Sequence, residues 1–242
     1  MNGLKYAEWA EHYDPEKKEL YCLTKHGIDF EMKRILEVGC GTGRFTARVL
    51  PQCSELFCID PDENALSVLK SRLIDSRLTV SRGALETVSL KQNYYHFVIF
   101  PWSMYLINEK EKNLSIAYNS LVNKGNLIDL QANSGEYEEE IAQLYCNYNP
   151  LSAYQTAYDT LPSLIEKVFG NVICDTLQTH FYFDSIDQVV DNSLFFIEDE
   201  EGHIPDEKKI NCLKERLPTY MISDGRIRLS DNVSIFIAKK EL

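Results

Sequence analysis

Short apolar runs recur along the chain, and several of the stretches between them carry apolar residues at helical spacing. Ile35–Val38, Leu56–Ile59, Leu78–Val80, Tyr95–Phe100 and Leu127–Leu130 read as strands. Residues 44–51, 63–73 and 109–121 read as helices, the last with Leu114, Ala117, Tyr118 and Leu121 on one stripe. Strands alternating with helices predict βαβ units and a parallel sheet. Tyr95–Phe100 is almost continuously apolar, as a central strand covered on both faces must be. Ahead of the sheet, residues 4–13 put Tyr6, Ala10 and Tyr13 on one helical face, and Pro15 disfavours the αR region at Asp14. Residues 16–32 predict a second helix with Leu20, Leu23 and Ile28 inward.

Past Gln131 the pattern changes. Residues 136–170 are polar and tyrosine-rich (Tyr137, Tyr145, Tyr148, Tyr154, Tyr158) and predict one or two helices capping one side of the domain. His180–Ser185 reads as a sixth strand, followed by helices over 186–197 and 206–217 with Gly202 and Pro205 in the loop between them. Ile227–Lys239 reads as a last strand, with a turn expected at Ser230-Asp231-Asn232. The whole predicts one α/β domain over 1–242, with cap helices in 1–30 and a substrate-side lid or insertion within 131–220.

The chemistry concentrates where the first strand ends, in Arg34-Ile35-Leu36-Glu37-Val38-Gly39-Cys40-Gly41-Thr42-Gly43-Arg44-Phe45. A strand, a glycine turn and a helix form the unit that lays a cofactor across the carboxyl end of a parallel sheet. The three glycines let the backbone turn sharply and let a ligand approach, with the next helix pointing N–H groups at the same space. A dinucleotide fingerprint needs a third glycine where Arg44 stands, which argues against NAD or FAD. Asp60 ends the second strand, 17 residues beyond Gly43, where a Rossmann-type fold puts the carboxylate that takes ribose hydroxyls. Asp62 is available to cap the helix that starts at Glu63, leaving Asp60 for a ligand.

Composition narrows the partners. A net charge of −12, from 37 acidic and 25 basic residues, disfavours nucleic acid and anionic membrane. No apolar run approaches the ~20 residues of a membrane span, and Met1–Asp14 does not read as a signal peptide. The 7 cysteines are scattered, with no CxxC pair and no Cys/His cluster at zinc spacing, so they predict reduced thiols, no metal and a cytoplasmic setting. No lysine-serine/threonine follows the glycines, as a phosphate-binding loop requires, and no G-x-S-x-G hydrolase elbow occurs.

The E-x-G-x-G-x-G turn from Glu37 to Gly43 resembles motif I of the class I S-adenosylmethionine-dependent methyltransferases. The opening Tyr6-x-x-Trp9-Ala10-x-x-Tyr13-Asp14 is similar to segments that precede the sheet in small-molecule members. The resemblance implies a Rossmann-like three-layer sandwich, a mostly parallel seven-stranded sheet with an antiparallel last strand, and S-adenosylmethionine as cofactor. It assigns the cofactor to Glu37, Gly39, Cys40, Gly41, Gly43, Asp60 and Pro61. Tyr6 and Tyr13 would close over its methionine end. Phe100 and Pro101 would flank the transferable methyl, and the backbone at Ala84 and Leu85 would hold adenine. The sequence departs from the family at Ala84, where an aspartate is usual, and at His96, where F-D-x-V is common. Asn123-Lys124-Gly125-Asn126 stands where the family has a proline-glycine step. No N-P-P-Y motif occurs, which argues against base or glutamine-amide acceptors. The implied reaction is in-line displacement by an O, N or S atom of a small molecule, in a monomer or homodimer. Candidate bases, should one be needed, are His180, Tyr105, Tyr13 and His12. The competing reading is a methyltransferase-like module that binds the cofactor without turnover.

Overall fold

The computed structural model describes residues 3–133, 135–142, 144, 150–201 and 207–241, the side chains of 3–4, 150–158 and 195–201 excepted. Two helices, α1 (Gly3–Glu11) and α2 (Lys18–Lys25), precede the sheet. Then come β1 (Arg34–Val38), α3 (Thr46–Val49), β2 (Glu55–Asp60), α4 (Glu63–Arg72) and β3 (Leu78–Arg82). The second half runs β4 (Tyr95–Pro101), α5 (Lys110–Ser120), β5 (Leu121–Asn133), α6 (Glu136–Ala142) and α7 (Pro150–Phe169). It ends with β6 (Ile173–Phe183), α8 (Ile186–Glu201), α9 (Glu207–Arg216) and β7 (Ile227–Lys239).

The strands form one sheet in the order β3-β2-β1-β4-β5-β7-β6. β1 to β5 pair in parallel, and β7 runs antiparallel to both β5 and β6. Strand order reverses between β1 and β4, so the crevice outside their carboxyl ends is the topological switch point where such sheets bind ligands. Alternation of side chains splits the core in two. Ile35, Ile99, Ile128 and Leu130 face Leu23 of α2 and Leu66 and Leu69 of α4. Leu36, Val98 and Leu127 face Leu114 and Ala117 of α5 and Leu161 and Ile165 of α7. The three-layer α/β sandwich with an antiparallel last strand is therefore present.

Several elements differ from their sequence-based bounds. The helix expected over 16–32 is only α2, bounded by Lys17 at φ 56° and Gly27 at φ 75°. The helix expected over 44–51 shrinks to the single turn of α3. β5 begins at Leu121 instead of Leu127. Between Tyr95↔Leu121 and Phe97↔Asn126 the register jumps, so Asn123, Lys124 and Gly125 form a bulge inside the strand, with Lys124 at φ 63°. β6 starts at Ile173, seven residues before the apolar run, because its first half alternates between half-buried and exposed positions. The turn expected at Ser230-Asp231-Asn232 does not form. Those residues continue β7, paired with His180, Thr179 and Gln178 of β6, because the ladder already satisfies their backbone groups.

The 136–170 stretch divides in two. α6 packs against β7 on the carboxyl side of the sheet, and its Tyr137 ring stacks on Phe181 with centroids 4.2 Å apart. α7 instead lays Leu161, Ile165 and Phe169 into the second core face, as a helix of the sandwich layer. Gly202, Pro205, Tyr145 and Tyr148 lie outside the described residues, as do the side chains of Tyr154 and Tyr158.

Candidate functional site

The glycine turn leaves β1 at the switch point, and its three glycines serve different ends. Gly39 (φ 75°) backs onto Ser103, with which an added Cβ would overlap. Gly43 (φ 90°) lies against α4, where an added Cβ would stand 3.1 Å from Leu69. These two glycines answer to the protein's own packing. At Gly41 (φ 53°) the nearest atom to an added Cβ is Cε1 of the Tyr6 ring, 3.8 Å away. The ring of α1 thus lies over the middle of the turn.

Asp60 ends β2 beside that turn. Its Oδ2 accepts the Gly41 N–H at 2.9 Å and its Oδ1 the Asp62 N–H at 2.9 Å. It is therefore not left wholly to a ligand, as the sequence suggests; each oxygen takes one backbone donor and retains capacity for another. Asp62 caps α4 as expected, accepting from Asn64 and Ala65. Burial raises the Asp60 carboxyl, against the two N–H groups. Glu37 is fully buried beneath the turn. Its Oε2 accepts from Thr46 Oγ1 at 2.8 Å, while Oε1 has no partner. Burial pushes its carboxyl up to about 7, against the hydrogen bonds from Thr46 and Cys58.

Above the turn sits a polar network that binds the N-terminal segment to the sheet. Glu19 of α2 is fully buried and accepts from four side chains. They are Arg44 Nη1 at 2.6 Å, Arg48 Nη1 at 2.8 Å, Trp102 Nε1 at 3.1 Å and Tyr13 Oη at 3.3 Å. Burial acts to raise the Glu19 carboxyl, but the two guanidinium groups hold it below its ordinary value. Arg48 also reaches Asp14 Oδ2 at 2.7 Å, and Asp14 accepts the Lys18 N–H at the start of α2. Arg44 lies over the rings of Tyr13 and Trp102, at 4.8 and 5.1 Å from their centroids. Trp102 directly follows β4 and holds φ 60°, a region a bulky residue enters only when its surroundings compel it. Here its N–H donates to Leu130 O at 2.6 Å while its indole is drawn to Glu19. Trp9, Tyr137 and Phe181 complete the aromatic wall, with Trp9 Nε1 donating to Tyr137 Oη at 3.0 Å.

The glycine turn, the carboxylate ending β2 and the strand order together invite comparison with known proteins. Residues 35–125 match the family model described as "Methyltransferase domain". Over that stretch the chain is similar to methyltransferases. Among its relatives is an uncharacterised methyltransferase of Bacillus cereus, 24% identical over 189 residues, covering 71% of this chain and 88% of that one. Two solved structures share the fold. A protein described as a methyltransferase of an antibiotic biosynthesis pathway in Anabaena variabilis has a TM-score of 0.63 at 11% identity, over 94% of this chain and 98% of that one. Haemonchus contortus phosphoethanolamine N-methyltransferase 2, bound to phosphomonomethylethanolamine and S-adenosylhomocysteine, has a TM-score of 0.59 at 15% identity, over 93% of this chain and 52% of that longer one.

S-adenosylmethionine, the cofactor expected from the glycine turn, is the group to set against this site. The residues present fit it: a buried carboxylate oxygen of Glu37 lacks a partner beneath the turn, and Asp60 keeps accepting capacity at its rim. The other residues named from the sequence are placed as follows. Phe100 and Leu85 point into the core face behind the sheet, because alternation along β4 turns Phe100 away from the switch point. The Ala84 N–H, expected to serve a ligand, donates to Thr87 Oγ1 at 3.0 Å within its own loop. Cys40 is buried in the front core, Pro101 is buried at the end of β4, and Pro61 is exposed beside Asp60.

Of the candidate bases, three are held in structural roles. Tyr13 is fully buried, donates to Glu19 and accepts from Thr179 Oγ1 at 3.0 Å. His12 Nδ1 lies 2.9 Å from Tyr182 O, and His180 Nδ1 lies 3.0 Å from Lys18 Nζ. Tyr105 is half-buried in the turn after β4. Sequence reading missed Glu19, Trp102 and a carboxyl pair, Glu138 and Asp231, buried within hydrogen-bonding reach of each other. Burial, followed by the neighbouring Glu138, pushes Asp231 well above the carboxylate range. The available signal was acidic residues inside amphipathic or strand-like runs, at positions where the pattern calls for apolar ones.

Proposed function

We propose that this protein is a methyltransferase that passes a methyl group to an O, N or S atom of a small molecule bound at the carboxyl edge of the sheet, beside Trp102 and the cap formed by α1 and α6. The observation that carries the reading is Asp60. It is pinned by two backbone N–H groups at the rim of the glycine turn, with one accepting position spare on each oxygen. In the proposed arrangement Asp60 takes both ribose hydroxyls, Gly41 and the Tyr6 ring bracket the cofactor, and Glu37 Oε1 receives a donor from beneath. Pro61 and the Ala84–Leu85 loop flank the adenine. Gly39, Cys40 and Gly43 shape the turn, and the backbone at Phe100 and Pro101 borders the methyl. The bound cofactor supplies a methyl on a sulfonium, whose leaving group is a neutral thioether.

The chain's own residues then position and exclude. Glu19 orients the Trp102 indole, and Trp9, Tyr137 and Phe181 keep water from the space beside it. Tyr13, His12 and His180 are engaged in structural bonds, so catalysis rests on alignment, with a base needed only for an acceptor that arrives protonated. The net charge of −12 favours a small molecule over nucleic acid. Small acceptors are compatible with this fold by analogy with the phosphomonomethylethanolamine named for the Haemonchus contortus structure. Among the described residues no helix is long and apolar enough to cross a membrane. The scattered cysteines, with no CxxC pair, favour a reducing, cytoplasmic setting.

Calorimetry with S-adenosylmethionine and S-adenosylhomocysteine tests the site. Asp60→Asn, which retains an accepting oxygen for the backbone, should weaken both by about 10–100-fold, the scale of a charged hydrogen bond. Unchanged affinity would remove Asp60 from the cofactor site. A panel of small amines, alcohols and thiols with the labelled cofactor tests the acceptor class.

A further inference from the structure

The packing of α2 against β6 creates a side-chain cluster away from the cofactor site. Cys22 and His26 stand four residues apart, one helical turn, so both side chains leave the same face. β6 brings Asp175 to them across 149 positions of sequence. Cys22 Sγ, His26 Nε2 and Asp175 Oδ2 all lie within 4.8 Å of one another. The Nε2–Oδ2 separation is 2.8 Å and the Sγ–Oδ2 separation 3.8 Å. A tetrahedral zinc with ordinary bond lengths sets its ligand atoms roughly 3.3–3.6 Å apart. The longest of these separations must close by no more than about 1.2 Å to reach that geometry, a movement shared between two side chains.

We propose that Cys22, His26 and Asp175 form a zinc(II) site that fastens α2 to β6. The donor set is one soft sulfur, one imidazole nitrogen and one carboxylate oxygen, which suits zinc and not the all-oxygen preference of magnesium or calcium. A thiolate and a carboxylate together offset the two charges of the ion. On binding, the Cys22 thiol releases its proton to solvent, His26 gives up its Nε2 proton and keeps one on Nδ1, and the His26–Asp175 hydrogen bond is exchanged for two metal–ligand bonds. Cys22 is buried, whereas the Asp175 side chain is 43% exposed, so the site opens outward and water completes the fourth position. Glu19 lies on the same helix one turn before Cys22, so the ion would steady the helix that holds Arg44 and Trp102. The expectation of no metal rests on spacing along the chain, which cannot reveal a third ligand supplied by a distant strand.

Cobalt(II) titration of full-length protein tests the site, in a Cys146→Ser/Cys174→Ser/Cys212→Ser background whose remaining thiols besides Cys22 are the buried Cys40, Cys53 and Cys58. One equivalent should saturate a tetrahedral visible spectrum with a thiolate-to-cobalt band in the near ultraviolet, and zinc should displace it. Cys22→Ser should abolish that band. His26→Gln and Asp175→Asn, at half-buried or exposed positions and checked by circular dichroism, should each weaken cobalt binding by more than about 100-fold, since even outer-shell losses reach that scale. Zinc should also raise the melting temperature of the background protein and not that of Asp175→Asn. A thiolate band that survives Cys22→Ser, no such band in folded protein at stoichiometric cobalt, or equal zinc stabilisation with and without Asp175 would overturn the proposal.

Discussion

Replacing Glu19 by alanine should destabilise the protein more than any single change at its surface. The Glu19 side chain is fully buried, and those of Arg44 and Arg48 are 9% and 11% exposed. Removing one partner of a buried pair leaves an uncompensated charge and costs about 3–5 kcal/mol. Arg48 would be partly protected, because it keeps Asp14 Oδ2 and the carbonyls of Tyr13 and Asp14. Arg44 would not, since Glu19 is its carboxylate partner and its Nη2 already lacks an acceptor. The loss should therefore fall inside the full range. For a chain of this length each kcal/mol corresponds to about 2–4 °C, so the melting temperature should fall by roughly 6–20 °C.

The measurement is thermal and urea unfolding followed by circular dichroism, with tryptophan fluorescence reporting separately on the cap, where Trp9 and Trp102 both lie. A double variant separates charge from packing. Glu19→Leu with Arg44→Met replaces the pair by apolar groups and should recover most of the lost stability. A drop under about 1 kcal/mol in Glu19→Ala would refute the reasoning. So would a double variant no better than the single one.

Glu37 should make stability fall as pH rises. Its folded carboxyl is raised from 4.5 to about 7, so between those values the native state binds more protons than the unfolded chain. The decline should total about 3 kcal/mol across that window, and urea midpoints for Glu37→Gln should show it flattened. Asp231→Asn should stabilise the protein at pH 8, where the Glu138–Asp231 pair resists ionisation, and the gain should disappear by pH 5; equal stability at both would sink the idea. Hydrogen exchange should show residues 5–15 and 136–142 becoming protected when S-adenosylhomocysteine binds, while 159–169, packed in the sandwich layer, stay unchanged. Equal protection of the first two segments with and without the ligand would remove them from any closing motion.

Much of the fold could be read along the chain because burial leaves a periodic trace. Ile35–Val38 and Tyr95–Phe100 are apolar on both faces and had to lie in mid-sheet. The carboxyl edge could be read too, since Gly39, Gly41 and Asp60 sit at distances that one βαβ unit imposes. What escaped was polar and long-range. Glu19, Arg44 and Trp102 are unremarkable singly, and their union depends on α2 folding back over the end of β4. Asp231 looked like part of a turn because Ser-Asp-Asn is turn chemistry, yet the ladder from β5 and β6 overrides local preference. Arg44 was informative in a way its sequence context hid. It stands where a dinucleotide fold needs glycine, and its side chain is spent on tying the cap to the turn.

The N-terminal segment also has a part in what happens before the sheet is complete. β6 is the outermost strand on its side, and a bare strand edge invites pairing with another chain. Residues 12–14 occupy that edge: Tyr13 bridges Phe181, the Asp14 N–H donates to His180 O, and the Tyr182 N–H donates to His12 O. The guard leaves the ribosome long before the edge it covers. β6 therefore emerges into the presence of a segment already available to cover its edge from His180 to Tyr182, and that stretch need never be open to a neighbour.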